Sequence, residues 1–206
     1  MVIEKIVDYY FGENSYLIGD EKSGKCAVVD PGASADEILN KVNELGLKLE
    51  YIVLTHGHGD HIASVIELRN RTDVKVIAHT DEAEILLDKK KNLSYSMRCG
   101  AQEFDADIYV NDKDKLELGD LKLSFIHTPG HTKGGMCIRV DNHMFTGDTL
   151  FAGSMGRTDL YSGNNNQMDK SLKKLAKYED NITVYPGHGP STTLGIEKAT
   201  NPYMNR

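Results

Sequence analysis

Three histidines and an aspartate fall within six consecutive positions, His56, His58, Asp60 and His61, in the run THGHGDHI. Imidazole and carboxylate together suit a divalent Zn, Fe or Mn, whereas Ca and Mg favour oxygen-only shells. His56 and His58 are two residues apart and project to one side of an extended segment, while Gly57 and Gly59 let the backbone turn closely. Asp60 and His61 then open the following helix. The run can therefore feed two adjacent ions, one through His56 and His58 and the other through Asp60 and His61.

The same rhythm recurs: an apolar strand, a turn residue or two, and a ligand where the strand ends. LSFIHTPGHT supplies His131, HMFTGDT supplies Asp148 and TVYPGHG supplies His188. If the four strand ends share one edge of the fold, seven side chains meet in one cleft: His56, His58, Asp60, His61, His131, Asp148 and His188. Seven exceeds the three protein ligands usual at a lone catalytic zinc, which points to two divalent ions, zinc first, with iron or manganese as alternatives.

Residues near these motifs have a chemical and a structural reading. Asp30, in VVDPG, can hold a ligand imidazole from behind or cap its own turn. Arg157, in GRTD, can pair with a substrate carboxylate or with Asp159. Tyr95 and Arg98, in NLSYSMRCG, can line a substrate mouth or anchor their loop. His79 and His143 read as ordinary polar groups. His127 reads as a packing residue or a hydrogen-bond partner of the ligands, because the TPG turn redirects the chain before His131. Cys99 has no adjacent histidine arrangement to make it a thiol nucleophile, and neither a phosphate loop nor a dinucleotide fingerprint is present.

The elements that must position these residues are short. SYLIG and CAVVD read as strands stopped by GDEKSGK and PGA, an antiparallel beginning. Ile38, Leu39, Val42 and Leu45 recur at helical spacing before Gly46. YIVLT is the strand that runs into the histidine cluster, followed by a helix through Ile62, Val65, Ile66 and Leu68 and by the strand VKVIA. The pattern predicts a further helix from Asp81 to Lys90 and a loop with short structure over 92–107. The second half reads as hairpin strands, KLELGD, LKLSFIHTPGHT, GMCIRV and NHMFTGD, then a helix around Met168 to Tyr178 and the strand ITVYPGHGP. Sheets with one apolar face must bury it against another layer, so two sheets with helices outside are expected.

At 206 residues, against roughly 150 per domain, the chain suits one enlarged domain. Its net charge of −7 and scattered basic residues, Lys89 to Lys91 being the densest run, make nucleic acid a poor partner. The N-terminus has acids within MVIEKIVDYY and no apolar run of membrane or signal length, so no membrane is expected and cytoplasm is the default. Three scattered cysteines do not make a disulfide framework. Oligomeric state is not written in the linear pattern.

THGHGDHI, TPGHT, FTGDT and PGHGPST, in this order across most of the chain, resemble the motifs of the metallo-beta-lactamase superfamily, and more narrowly its short glyoxalase II-like hydrolases. The resemblance implies an α/β fold of αββα type, two mixed β-sheets face to face with helices on both outer faces. It implies His56, His58 and His131 on one metal, Asp60, His61 and His188 on a second, and Asp148 as the bridge. The implied activity is hydrolysis of a small-molecule thioester, with a hydroxide held between the ions attacking the carbonyl. Asp60 and Asp148 are then the catalytic carboxylates, one orienting the nucleophile and the other fixing the ions.

The helical C-terminal module that binds glutathione in longer relatives has no room here, so residues 1–206 are expected to form a single domain, and the thiol of the substrate stays open. Three alternatives stay open beside it. The stretch AGSMGRTDLYSG also resembles a loop of persulfide dioxygenases, which use a single iron. Lactone or beta-lactam hydrolysis would use the same nucleophile. A non-catalytic metal-binding module would keep the ligands without the reaction.

Overall fold

The computed structural model describes residues 1–97 and 99–204. An antiparallel meander of β1 (Val2–Val7), β2 (Asn14–Asp20) and β3 (Lys25–Val29) opens the first sheet, which continues through parallel crossovers into β4 (Lys48–Val53), β5 (Lys75–His79) and β6 (Ile108–Val110). Helix α1 (Ala35–Glu44) makes the first crossover. Its start is fixed by a capping box in which Ser34 Oγ accepts the Glu37 N–H and Glu37 accepts the Ser34 N–H. Helices α2 (Gly59–Ile62) and α3 (Val65–Arg71) make the second crossover, and α4 (Ala83–Leu86) and α5 (Ser94–Met97) lie within the third.

The second sheet has the order β14-β13-β10-β9-β8-β7. Strands β7 (Lys115–Leu118), β8 (Leu121–His127), β9 (Met136–Val140) and β10 (His143–Gly147) are antiparallel neighbours, as their short turns require. The chain then forms a small hairpin, β11 (Leu150–Phe151) with β12 (Ser154–Met155), and crosses through α6 (Asn165–Leu175). It returns as β13 (Thr183–Pro186), parallel to β10, before β14 (Thr192–Thr193) and α7 (Leu194–Thr200) close the sheet.

Three apolar layers hold this arrangement together. Ile38 and Val42 of α1, Ile62 of α2 and Val65 and Leu68 of α3 cover one face of the first sheet. Val29, Val53 and Ile77 meet Phe125, Ile138 and Phe145 between the sheets. Met168, Leu172 and Leu175 of α6, with Leu194 of α7, cover the outer face of the second sheet. This is the four-layer α/β sandwich that the motifs imply.

The expected helix from Asp81 to Lys90 is shorter. It consists of a 3-10 turn, Thr80–Glu82, and the single turn of α4. Beyond Leu86 the apolar spacing fails, leaving Leu87 exposed, and Asp88 Oδ1 accepts the N–H groups of Lys90 and Lys91, a local turn that competes with helix. The topology has a direct consequence for chemistry. β3, β4 and β5 run parallel, and so do β8, β10 and β13, so within each sheet the segments that follow these strands emerge at a common edge.

Candidate metal centre

The strand ends bring the seven expected residues together. The ligand atoms of His56, His58 and His131 lie within 4.8 Å of one another, and so do those of Asp60, His61 and His188. Asp148 lies between the two groups. Its Oδ2 is 3.4 Å from His131 Nε2, while Oδ1 is 3.4 Å from His61 Nε2 and 3.8 Å from His188 Nε2. Asp60 Oδ2 is 3.3 Å from His188 Nε2 and 3.9 Å from His61 Nε2. Two donors each about 2.1 Å from one tetrahedral zinc are about 3.4 Å apart, so the 3.3 and 3.4 Å spacings match donors that share an ion. Nε2 of His56 and His61 and Oδ1 of Asp148 are buried without a hydrogen-bond partner, which a metal would remedy.

The outer atoms of the imidazoles are occupied in a way that turns their inner atoms into lone-pair donors. His131 Nδ1 lies 2.7 Å from the Arg157 carbonyl, which can only accept, so the proton sits on Nδ1 and Nε2 is free to ligate. His61 Nδ1 donates to Asp30 Oδ2 at 3.0 Å. The Thr55 hydroxyl donates to that same Oδ2 at 2.5 Å and therefore accepts from His56 Nδ1, 3.1 Å away. Asp30 also accepts the Thr55 N–H at 2.7 Å, so one buried carboxylate fixes an imidazole of each group. His58 differs, since its Nδ1 faces His131 Nε2 at 2.8 Å.

Burial and neighbouring histidines keep His56 well below the usual imidazole range, and burial, with His131 beside it, pushes His58 down to about 3. Both are thus neutral ligands at ordinary pH. Burial raises the Asp148 carboxyl, but His61, His131 and His188 outweigh it and hold the group well below the usual carboxylate range. Asp60 is lowered as well, its burial outweighed by His61 and His188. The glycines permit this crowding. A Cβ on Gly187 would lie 2.6 Å from both Asp148 Oδ1 and His61 Cε1, and one on Gly59 would lie 2.7 Å from Ser94 Cα.

The other expected residues fall differently. Tyr95 is 67% exposed and does not line the cleft; its neighbours Leu93 and Met97 do. Arg98 lies outside the described residues. Arg157 reaches the cleft, yet its guanidinium is paired bidentately with Asp159 at 2.7 and 2.8 Å. Burial pushes the Cys99 thiol up to about 11, away from a nucleophilic thiolate. His143 bonds the Tyr185 hydroxyl.

His79 and His127 stack at 3.9 Å with planes 12° apart, near Asp81. Parallel rings do not aim their in-plane lone pairs at one ion, and His79 Nδ1 already accepts the Asp81 N–H while His127 Nε2 donates to the Lys133 carbonyl. Two buried acids near the centre have no counterpart in the motif reading. Glu13 Oε1 lies 3.8 Å from His61 Nδ1, and Glu82 accepts the Gly57 N–H. Neither belongs to a ligand motif, so residue spacing carried no signal for them.

The metallo-beta-lactamase superfamily model matches residues 9–188, most of the chain and all seven clustered positions. The chain belongs to the metallo-beta-lactamase superfamily. Superfamily members bind divalent metals, and the His/Asp groups described above are where this member could do so. Hydroxyacylglutathione hydrolase GloC of Haemophilus influenzae is 34% identical over 212 residues, covering 100% of this chain and 99% of that one. Among solved superfamily structures, the BLEG-1 B3 metallo-beta-lactamase superposes with a TM-score of 0.92 at 30% identity, each chain fully covered. TTHA1623, solved in a di-iron-bound form, gives 0.87 at 29% identity, covering 97% of this chain and 99% of its own.

Among the described residues no helix is long and apolar enough to cross a membrane.

Proposed function

We propose that this protein is a glyoxalase II-like hydrolase that cleaves small thioesters at a centre for two divalent ions, zinc first. The observation that carries this reading is the position of Asp148, one oxygen toward the His131 side and the other toward His61 and His188. A single ion on the His131 side would leave Oδ1 and its two histidines without a metal. The 34% identity to a hydroxyacylglutathione hydrolase supports a thioester over other carbonyl substrates.

When bound, the ions would supply Lewis-acid polarisation of the carbonyl and a water acidic enough to attack at neutral pH. The chain supplies the rest. His56, His58 and His131 would hold one ion; Asp60, His61 and His188 would hold the other, and Asp148 would fix their separation. Asp60, whose Oδ2 faces His188, would also orient the attacking water. Asp30 and Thr55 keep His56 and His61 in the tautomers that ligate. Beyond the ligands, Leu93, Met97 and Leu160 give the cleft, of about 370 Å³, an apolar wall suited to the body of a small acyl or thiol group. No serine or cysteine nucleophile is required.

The test pairs two assays on protein purified without added metal and then loaded with zinc. Release of thiol from a small thioester at equal rates with and without oxygen is the expected result. Oxygen consumption with sulfite formation from a persulfide, by iron-loaded protein without thioesterase activity, would replace this reading with the dioxygenase one.

A further inference from the structure

We infer that Glu82 is a positioning residue for the His56, His58 and His131 group: a buried carboxylate, outside every ligand motif, that fixes the two ligand-bearing turns relative to each other. It stands at the end of the 3-10 turn after β5 and is 1% exposed. Oε1 accepts the N–H of Gly57, the residue between His56 and His58, at 2.8 Å. Oε2 accepts the hydroxyl of Thr132, the residue after His131, at 2.9 Å. Burial pushes the pKa of this carboxylate up to about 7, while the Gly134 backbone N–H, further along the same turn, favours its charged form. The packing admits nothing larger there, because a Cβ on Gly134 would lie 2.4 Å from Glu82 Oε2.

The arrangement is chemically selective. The Gly57 backbone N–H can only donate, so Oε1 must accept, while Oε2 is the acceptor for the Thr132 hydroxyl. Gln at this position has nearly the same shape but replaces one acceptor with an NH₂ donor, which either opposes the Gly57 N–H or takes away the acceptor of the Thr132 hydroxyl. The strain falls on turns that carry three ligands of one ion, and metal–ligand distances tolerate only about 0.2 Å. Neighbouring Glu84 makes a useful contrast, since it is partly exposed and pairs with Lys91, Lys133 and Tyr161 at the surface.

The inference rests on the dimetal reading above. The experiment is a zinc titration of metal-free full-length protein against a competing chelator dye, with the melting temperature of each metal-free variant measured in parallel. E82Q is expected to weaken one zinc step about 10- to 100-fold, leave the other within about threefold, and lower the metal-free melting temperature by no more than about 10 °C. E84Q should leave both steps unchanged. T132V should weaken the same step as E82Q, while T132S, which keeps the hydroxyl, should restore it.

Both zinc steps at parental strength in E82Q would overturn the inference, as would equal weakening of both with a lowered metal-free melting temperature. Should E82Q fail to fold, T132V decides: weakening rescued by T132S supports the inference, and parental binding by T132V refutes it. Parental protein with no tight zinc step would defeat the dimetal reading and this inference together.

Discussion

Asp30 and Asp148 do opposite jobs with the same functional group. Asp30 holds its oxygens toward Thr55 and His61, so that the imidazoles turn their free lone pairs inward. Asp148 leaves Oδ1 buried without a hydrogen-bond partner, facing both His61 and His188. Replacing Asp148 with Ala should therefore lower the metal content below the parental value and cut thioester turnover by more than about 100-fold, the loss typical of merely outer-shell changes at metal sites. Elemental analysis alongside turnover checks this, and parental metal content with parental turnover would remove Asp148 from the centre. At this scale the ligand types were legible because each closes an apolar strand in the sequence. Glu13 and Glu82 were not. Their importance depends on which imidazole or backbone N–H they meet across tens of residues, and nothing in the runs ENSYLIG or TDEAEIL records that partner.

Elements show the same division between local and distant causes. The helical spacing of α1 before Gly46 and the antiparallel turns between β7, β8, β9 and β10 are written in neighbouring residues and were readable. The parallel pairing of β13 with β10 is not, since it is set by α6 packing Met168, Leu172 and Leu175 on the second sheet. The edge of the sandwich away from the metal centre is closed by another distant contact. Asp20, at the end of β2, accepts the Asp120 N–H from the β7–β8 turn at 2.8 Å and the Lys22 N–H at 3.2 Å.

These bonds, the Asp120 N–H foremost, pull the Asp20 carboxyl from 3.8 down to about 2. A folded value below the unfolded one means the stabilisation is present above about pH 4 and disappears as pH falls through about 2. The D20N variant should thus melt below the parent at pH 7, with the difference shrinking between pH 4 and 2. Thermal melts across that range test this, and a constant difference would mean that the Asp20 charge does not contribute.

Across the whole molecule, the three apolar layers hold the sandwich together, while the ligands sit where its strands end. The sandwich can consequently tolerate a centre full of unpaired polar atoms at its edge, where the strands of both sheets deliver them. Superposition on the BLEG-1 B3 metallo-beta-lactamase at a TM-score of 0.92 with 30% identity shows that the scaffold is kept when most residues differ. That is why the fold was more legible than the substrate: the ligand motifs recur with the scaffold, whereas Leu93 and Leu160 come from loops and Met97 from the single turn of α5, in stretches of weak periodicity. The central claim is that this edge holds two ions. Anomalous diffraction at the zinc edge from crystals of zinc-loaded protein tests it most directly. Two peaks are predicted, one among His56, His58 and His131 and one among Asp60, His61 and His188, with Asp148 touching both; a single peak at full zinc loading, with His188 unliganded, would contradict it.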